Sequence, residues 1–161
     1  MIIGLISDTH GLLRPEATAA LAGVALILHA GDVGAPEILD ALEAIAPVRA
    51  VRGNNDRAPW AQRLPTTDVI AVAGASIYLL HDLHDLDLDP AAAGMAAVVT
   101  GHSHKPQVRR EGNVVYVNPG SAGPRRFRLP VSVARLRLEG GRVDAELIEI
   151  VKMGAAGSGT R

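Results

Sequence analysis

Cysteine is absent, which excludes a disulfide framework, a zinc–thiolate site and a cysteine nucleophile. Aromatic residues make up only 2% of the chain, too few for the stacking platforms of a single-stranded nucleic-acid binder, so the core must be aliphatic. Neither sign of charge dominates: 16 Lys plus Arg stand against 17 Asp plus Glu, a formal net charge of -1. That balance gives no bulk attraction to nucleic acid or to an anionic membrane, and no stable nucleic-acid complex is expected. Long apolar runs are missing as well. The stretch from Ala17 to Leu28 spans 12 residues, short of the roughly 20 that cross a bilayer. The opening Met-Ile-Ile-Gly-Leu-Ile-Ser-Asp has no basic leader and reaches an acid at Asp8, too early for a secretory signal, so a soluble cytoplasmic protein is expected. What is present is 161 residues that are 48% hydrophobic and 20% charged, one ordinary domain with its own core. Six histidines leave imidazole and carboxylate as the obvious metal ligands.

Short apolar runs alternate with Ala- and Leu-rich stretches of helical period in the first half, the pattern of βαβ units. Strands are expected at Ile2 to Ile6, Val24 to His29 and Val48 to Val51. Helices are expected at Pro15 to Ala22 and Pro36 to Ile45, each with Pro at its start. The second half reads as hairpins: Val69 to Val72 with Ile77 to Leu80, Val108 to Arg110 with Val114 to Val117, and Val131 to Leu138 with Val143 to Ile150. Val98 to Thr100 is a further strand. Antiparallel pairing is expected to dominate there, giving two sheets of different habit in one domain over residues 1–153. The Gly-, Ala- and Ser-rich segment 154–161 reads as a disordered tail.

The polar residues fall at strand ends. Asp8-Thr9-His10 follows the first strand, Gly31-Asp32 the second and Gly53-Asn54-Asn55-Asp56 the third, at the carboxyl edge where open α/β sheets bind ligands. His81 ends another apolar run, and Gly101-His102-Ser103-His104 follows the next. Residues two apart project to one side of an extended chain, so Asp8 with His10, or His102 with His104, can approach one ion together. Singly, each is weak: a lone His after a strand is more often a satisfied polar residue, and Gly-Asp is more often a turn. The order carries the signal. D-x-H, G-D, G-N, a His and G-H-x-H in succession resemble the calcineurin-like metallophosphoesterases, and the short chain with G-N-N-D resembles their small bacterial and archaeal phosphodiesterase branch.

The resemblance covers about residues 1–150 and implies a metallo-dependent phosphatase fold: an α/β four-layer sandwich of two mixed β-sheets flanked by helices. It implies that Asp8, His10 and His104 hold one divalent ion, that Asn54, His81 and His102 hold a second, and that Asp32 bridges both. Mn²⁺ is the expected ion, with Fe²⁺, Ni²⁺ or Zn²⁺ as alternatives, because mixed oxygen and nitrogen ligation suits all four and availability decides among them. The implied chemistry is hydrolysis of a small phosphodiester by a metal-bridging hydroxide, two ions about 3.5 to 4 Å apart clamping the attacking and leaving oxygens. Many relatives carry a His directly after the Asn of G-N; here Asn55 stands there and cannot supply a proton to the leaving group. Good leaving groups are therefore favoured, with His84 a candidate acid alongside a solvated-loop reading of the same residue. Asp82 stands where relatives commonly have Gly, which bears on substrate access.

Asp56 is expected to accept a hydrogen bond from a ligating imidazole, a catalytic supporting role, or else to form a turn. His29, inside a strand, reads as a core or supporting histidine rather than a ligand. Asn118-Pro119-Gly120-Ser121 resembles the family loop that closes around the metal site, and Arg57, Arg125 and Arg126 are candidate phosphate grips. Because the fold also serves a retromer subunit that acts as a protein-binding scaffold, a non-catalytic interaction module is the alternative function. The low net charge and aliphatic surface permit a homo-oligomer.

Overall fold

Apolar residues on both faces of a strand demand cover on both sides, and the architecture supplies it. The computed structural model describes residues 1–151; the expected tail at 154–161 lies outside them. Strands β1 (Ile2–Ile6), β2 (Leu26–His29) and β3 (Val48–Ala50) run parallel, joined by helices α1 (Pro15–Ala20) and α2 (Pro36–Glu43). The hairpin β9 (Val131–Glu139) and β10 (Arg142–Val151) adds antiparallel to β1, giving the sheet order β10-β9-β1-β2-β3. The second sheet has the order β4-β5-β6-β8-β7, from β4 (Thr67–Val72), β5 (Ala75–Leu80), β6 (Ala97–Val99), β7 (Gln107–Glu111) and β8 (Val114–Asn118).

Side-chain alternation divides the core. Ile3, Leu5 and Leu28 of the first sheet meet Ile77, Leu79, Val99 and Val117 of the second between the layers, all essentially without solvent contact. Ile6, Ile27 and Val133 point to the other face and pack under Leu21 and Leu42 of the helical layer. On the outer face of the second sheet, Tyr78, Leu80, Val98 and Val114 are covered by Leu86, Leu88 and Met95. Thus the two mixed sheets of the expected sandwich are present, with α-helices on one outer face and a segment of turns and a short 3₁₀ helix on the other.

Antiparallel pairing dominates the second half through the three expected hairpins β4–β5, β7–β8 and β9–β10, while β6 inserts between the first two and pairs parallel with β5 and β8. Both helices are shorter than expected, α2 ending at Glu43 rather than Ile45. Helix α1 stops at Ala20 rather than Ala22, where Arg135 caps it by donating to the carbonyls of Ala20 and Ala22 at 2.7 to 3.1 Å. Short 3₁₀ turns at Pro59–Arg63 and Leu83–Asp85 were not read from sequence. Among the described residues, no helix is long and apolar enough to cross a membrane.

Candidate metal centre

Loops leaving β1, β2 and β3 meet loops leaving β5 and β6 at one edge of the sandwich, and seven side chains converge there. Asp8 Oδ1 lies 3.3 Å from His104 Nε2 and 3.7 Å from His10 Nε2, and the two imidazole nitrogens are 3.4 Å apart. Asp32 Oδ2 lies 3.8 Å from His10 Nε2 on that side and 3.3 Å from His81 Nε2 on the other. His81 Nε2 and His102 Nδ1 sit 2.9 and 3.1 Å from Asn54 Oδ1. Atoms bound about 2.1 Å from a common ion are about 3.0 to 3.4 Å apart, so the spacing is that of ligand atoms. The seven expected ligands are therefore brought together, with Asp32 Oδ2 between the two groups.

The donors and acceptors fit cations. Asp8 is fully buried, and Oδ2 takes hydrogen bonds from the Ser7 hydroxyl at 2.7 Å and the His102 backbone N–H at 3.0 Å. Its other oxygen, Oδ1, has no hydrogen-bond partner although buried; it faces the imidazole nitrogens of His10, His81 and His104. A buried orphan acceptor ringed by imidazoles costs free energy unless a cation meets it. His81 Nδ1 donates to the Ala30 carbonyl at 2.7 Å, which turns Nε2 toward Asp32 and Asn54 as a ligand atom.

Electrostatics prepare the carboxylates. Burial pushes the Asp32 carboxyl up, but His81, the Asn55 backbone N–H and the Asn55 amide outweigh it and hold it far below its ordinary value. Asn55 donates to both oxygens of Asp32, at 2.9 Å each. The residue that cannot act as an acid is thus a clamp on Asp32, the expected shared ligand. Asp8 is likewise held low against burial by His104 and Ser7. His81 is raised despite burial, because Asp32 and Asp8 face it, whereas burial lowers His10 against the attraction of the same two carboxylates.

The loop backbones are strained to reach this arrangement. Among the described residues, seven non-glycine positions have positive φ, and five are Asp8 (54°), His10 (46°), Asp32 (54°), His102 (70°) and His104 (63°). Each such residue costs on the order of 1–3 kcal/mol, and clusters of them mark functional sites. Two glycines admit the close approach: a Cβ at Gly53 would collide with Asp32, and one at Gly101 with Ser7 and Asp8. Asn118 and Ser121 of the N-P-G-S loop brace the cluster, Asn118 Nδ2 donating to the Gly101 carbonyl and Ser121 Oγ to the Asp8 carbonyl, both at 2.9 Å.

The supporting residues depart from expectation. Asp56 does not face an imidazole; it is buried and accepts backbone N–H bonds from Val33, Gly34 and Gly53 at 3.0 to 3.1 Å, tying the β2 and β3 loops together. The carboxylate that faces an imidazole of the expected ligand set is Asp82, whose Oδ2 lies 3.6 Å from His102 Nε2. His84 stays outside the cluster, its side chain 94% exposed and its Nδ1 3.0 Å from Asp82 Oδ1. Of the candidate phosphate grips, Arg57 donates to the Asn54 carbonyl and Arg125 to the Val151 carbonyl, each at 3.2 Å. His29 is buried as expected. Adjacency to the expected ligands Asn54 and His81 was the signal in the sequence for Asn55 and Asp82.

A sandwich of two mixed sheets carrying a seven-residue oxygen and nitrogen cage at its loop edge defines a metal-site protein of phosphatase-like architecture. The sequence matches the calcineurin-like phosphoesterase superfamily domain over residues 1–141, and the chain belongs to that family. It is 38% identical over 160 residues to a probable metallophosphoesterase of Methanothermobacter thermautotrophicus, covering 92% of each protein. Its fold is similar to that of an archaeal phosphodiesterase, with a TM-score of 0.76 at 21% identity over 92% of this chain and 100% of the other. It also resembles Vps29 of Chaetomium thermophilum, with a TM-score of 0.75 at 19% identity over 92% and 97% of the two chains.

Proposed function

We propose that this protein is a phosphodiesterase holding two divalent cations. The observation that carries the reading is the position of Asp32 Oδ2, facing His10 on one side and His81 on the other at 3.8 and 3.3 Å. Asp8, His10 and His104 with Asp32 would hold one ion, and Asn54, His81 and His102 with Asp32 the other. Bound divalent cations supply Lewis acidity, lowering the pKa of a coordinated water and neutralising phosphoryl oxygens, and Mn²⁺ suits the mixed donor set.

The chain's own residues do the rest. Asp8 and Asp32, both held below the ordinary carboxylate range, stay ionised at neutral pH. Four neutral imidazoles and a carboxamide complete the cage without cancelling its positive charge, so a phosphoryl anion is attracted. Asn55 keeps Asp32 in place. With Asn55 committed and His84 outside the cluster, no side chain among the described residues is placed there to protonate a leaving group, which favours diesters with good leaving groups.

Calorimetric titration with Mn²⁺ should find two ions per chain, and the loaded protein should hydrolyse bis(p-nitrophenyl) phosphate faster than p-nitrophenyl phosphate. Much faster monoester turnover would reject the diesterase assignment. Phe127, 92% exposed, and the fold shared with Vps29 favour one other reading, a non-catalytic interaction module. A chain that takes up no Mn²⁺ is that module.

A further inference from the structure

Two chambers of opposite character flank the His81–Asn54–His102 end of the cluster, and Asp82 lines both. The larger, of about 690 Å³, sets Arg52 and Arg57 across from Asp85 and Asp87. The smaller, of about 270 Å³, opens directly beside His102. Its wall carries Lys105, Gln107, Arg109 and Tyr116, and Asp82 is its one acidic residue, already accepting a hydrogen bond from the His84 backbone N–H at 3.0 Å. The guanidinium of Arg109 lies 4.1 Å from the centroid of the Tyr116 ring. Glu111 holds it there by accepting a hydrogen bond at 2.9 Å.

Resting on the phosphodiesterase reading, we infer that the chamber beside His102 binds the nucleoside arm of the substrate, with the flat Arg109–Tyr116 stack receiving the base. Size, shape and charge point the same way. The cavity lies just below the range of ordinary small-molecule pockets, roughly 300–1,000 Å³, which suits one nucleoside and not a lipid chain or an oligosaccharide. A guanidinium lying over an aromatic ring offers its outer plane to a base, and stacking of this kind tolerates any base. Lys105, exposed at the mouth, has no carboxylate partner among the described residues, and its ammonium with the Gln107 amide can meet the carbonyl and ring-nitrogen acceptors of a base or a neighbouring phosphate. Because Gly101 and His102 form the inner wall, a group esterified to phosphorus at the cluster reaches the chamber without a linker. The second ester arm is left to the larger chamber, whose facing arginines and aspartates offer no aromatic plane.

Two esters with the same leaving group isolate this arm: methyl p-nitrophenyl phosphate and the p-nitrophenyl ester of thymidine 5′-monophosphate. With Mn²⁺-loaded protein, kcat/KM should be about tenfold or more higher for the thymidine ester, the scale of one stacked base. In the double variant Lys105→Ala/Arg109→Ala, that ratio should fall to within about twofold of one. Equal rates for the wild-type protein, or a preference that survives the double variant, overturn the inference while leaving the phosphodiesterase reading intact. Hydrolysis of neither ester overturns that reading, and the nucleotide site then stands or falls on a binding measurement. In amide NMR of the metal-free protein, thymidine 5′-monophosphate should shift the signals of Lys105, Gln107 and Tyr116. Shifts confined to Arg52, Arg57, Asp85 and Asp87 overturn it.

Discussion

His29 touches none of the candidate ligand atoms, yet it ties together two of the loops that carry them. The Gly31 backbone N–H donates to its Nδ1 at 3.1 Å, so the ring is protonated at Nε2, which donates to Thr9 Oγ1 at 3.0 Å; Thr9 in turn donates to the Val33 carbonyl at 2.8 Å. One neutral ring thus connects the residue beside Asp32 to the residue between Asp8 and His10. Burial pushes its imidazole down to about 4. The unfolded chain takes up a proton near pH 6.5 that the folded chain refuses until about pH 4. Stability from this group is therefore complete above pH 6.5 and falls with acid by about 3 kcal/mol across that window. Replacing the ring, His29→Phe, leaves the Gly31 N–H without an acceptor and should cost about 1–3 kcal/mol in urea denaturation at pH 7. The same variant should lose part of the wild-type decline between pH 6.5 and 4.5; an unchanged decline would show that His29 is not the group responsible. Asp56 makes a parallel case. Removing its carboxylate, Asp56→Ala, strands the N–H groups of Val33, Gly34 and Gly53, for a loss of about 3 kcal/mol in the same assay.

Elements set where those residues stand, and the turns show how far sequence alone determines them. The four residues Ala73-Gly74-Ala75-Ser76 read as a loop, but Ala75 and Ser76 belong to β5, leaving a two-residue turn with φ of 49° at Ala73 and 76° at Gly74. Positive φ at both centres is the type I′ requirement, which Asn-Gly meets best. Ala73→Asn should therefore stabilise the protein by about 0.5–1 kcal/mol, read as a rise of a few degrees in Tm. A fall in Tm would show that the strained alanine is not the weak point of the hairpin. Ligand order was legible for a related reason: each buried run ends abruptly in a polar residue, and Asp8, Asp32, Asn54, His81 and His102 all follow such an end. What was not legible depends on through-space pairing. Asp56 and Asp82 are both carboxylates one or two residues from an expected ligand, and only the packed loops decide that Asp82 faces His102 while Asp56 gathers backbone amides. The insertion of β6 between hairpins, and 3₁₀ turns of three to five residues, leave no periodic trace to read.

At the scale of the molecule, the cage is divided between the two sheets. Asp8, His10, Asp32 and Asn54 stand on loops of the first sheet, and His81, His102 and His104 on loops of the second. The sheets are also joined by the aliphatic layer between them and by the polar contacts Arg49–Asp68 and Arg110–Val143, so cations gripped from both sides would add a further cross-link to the sandwich, and their binding energy would become folding stability. At a free concentration one hundred times Kd, each site contributes about 2.7 kcal/mol, a rise in Tm of about 5–10 °C for a chain of this size. Scanning calorimetry with Mn²⁺ should show the rise of both sites together, about 10–20 °C, and chelation should reverse it. Asn54→Ala, which removes a ligand from one group, should keep part of the shift. Asp32→Asn, which replaces the shared carboxylate, should lose more than half of it, together with activity on any phosphodiester. Equal shifts in the two variants would mean that Asp32 serves one ion only, and the two-cation arrangement would have to be abandoned.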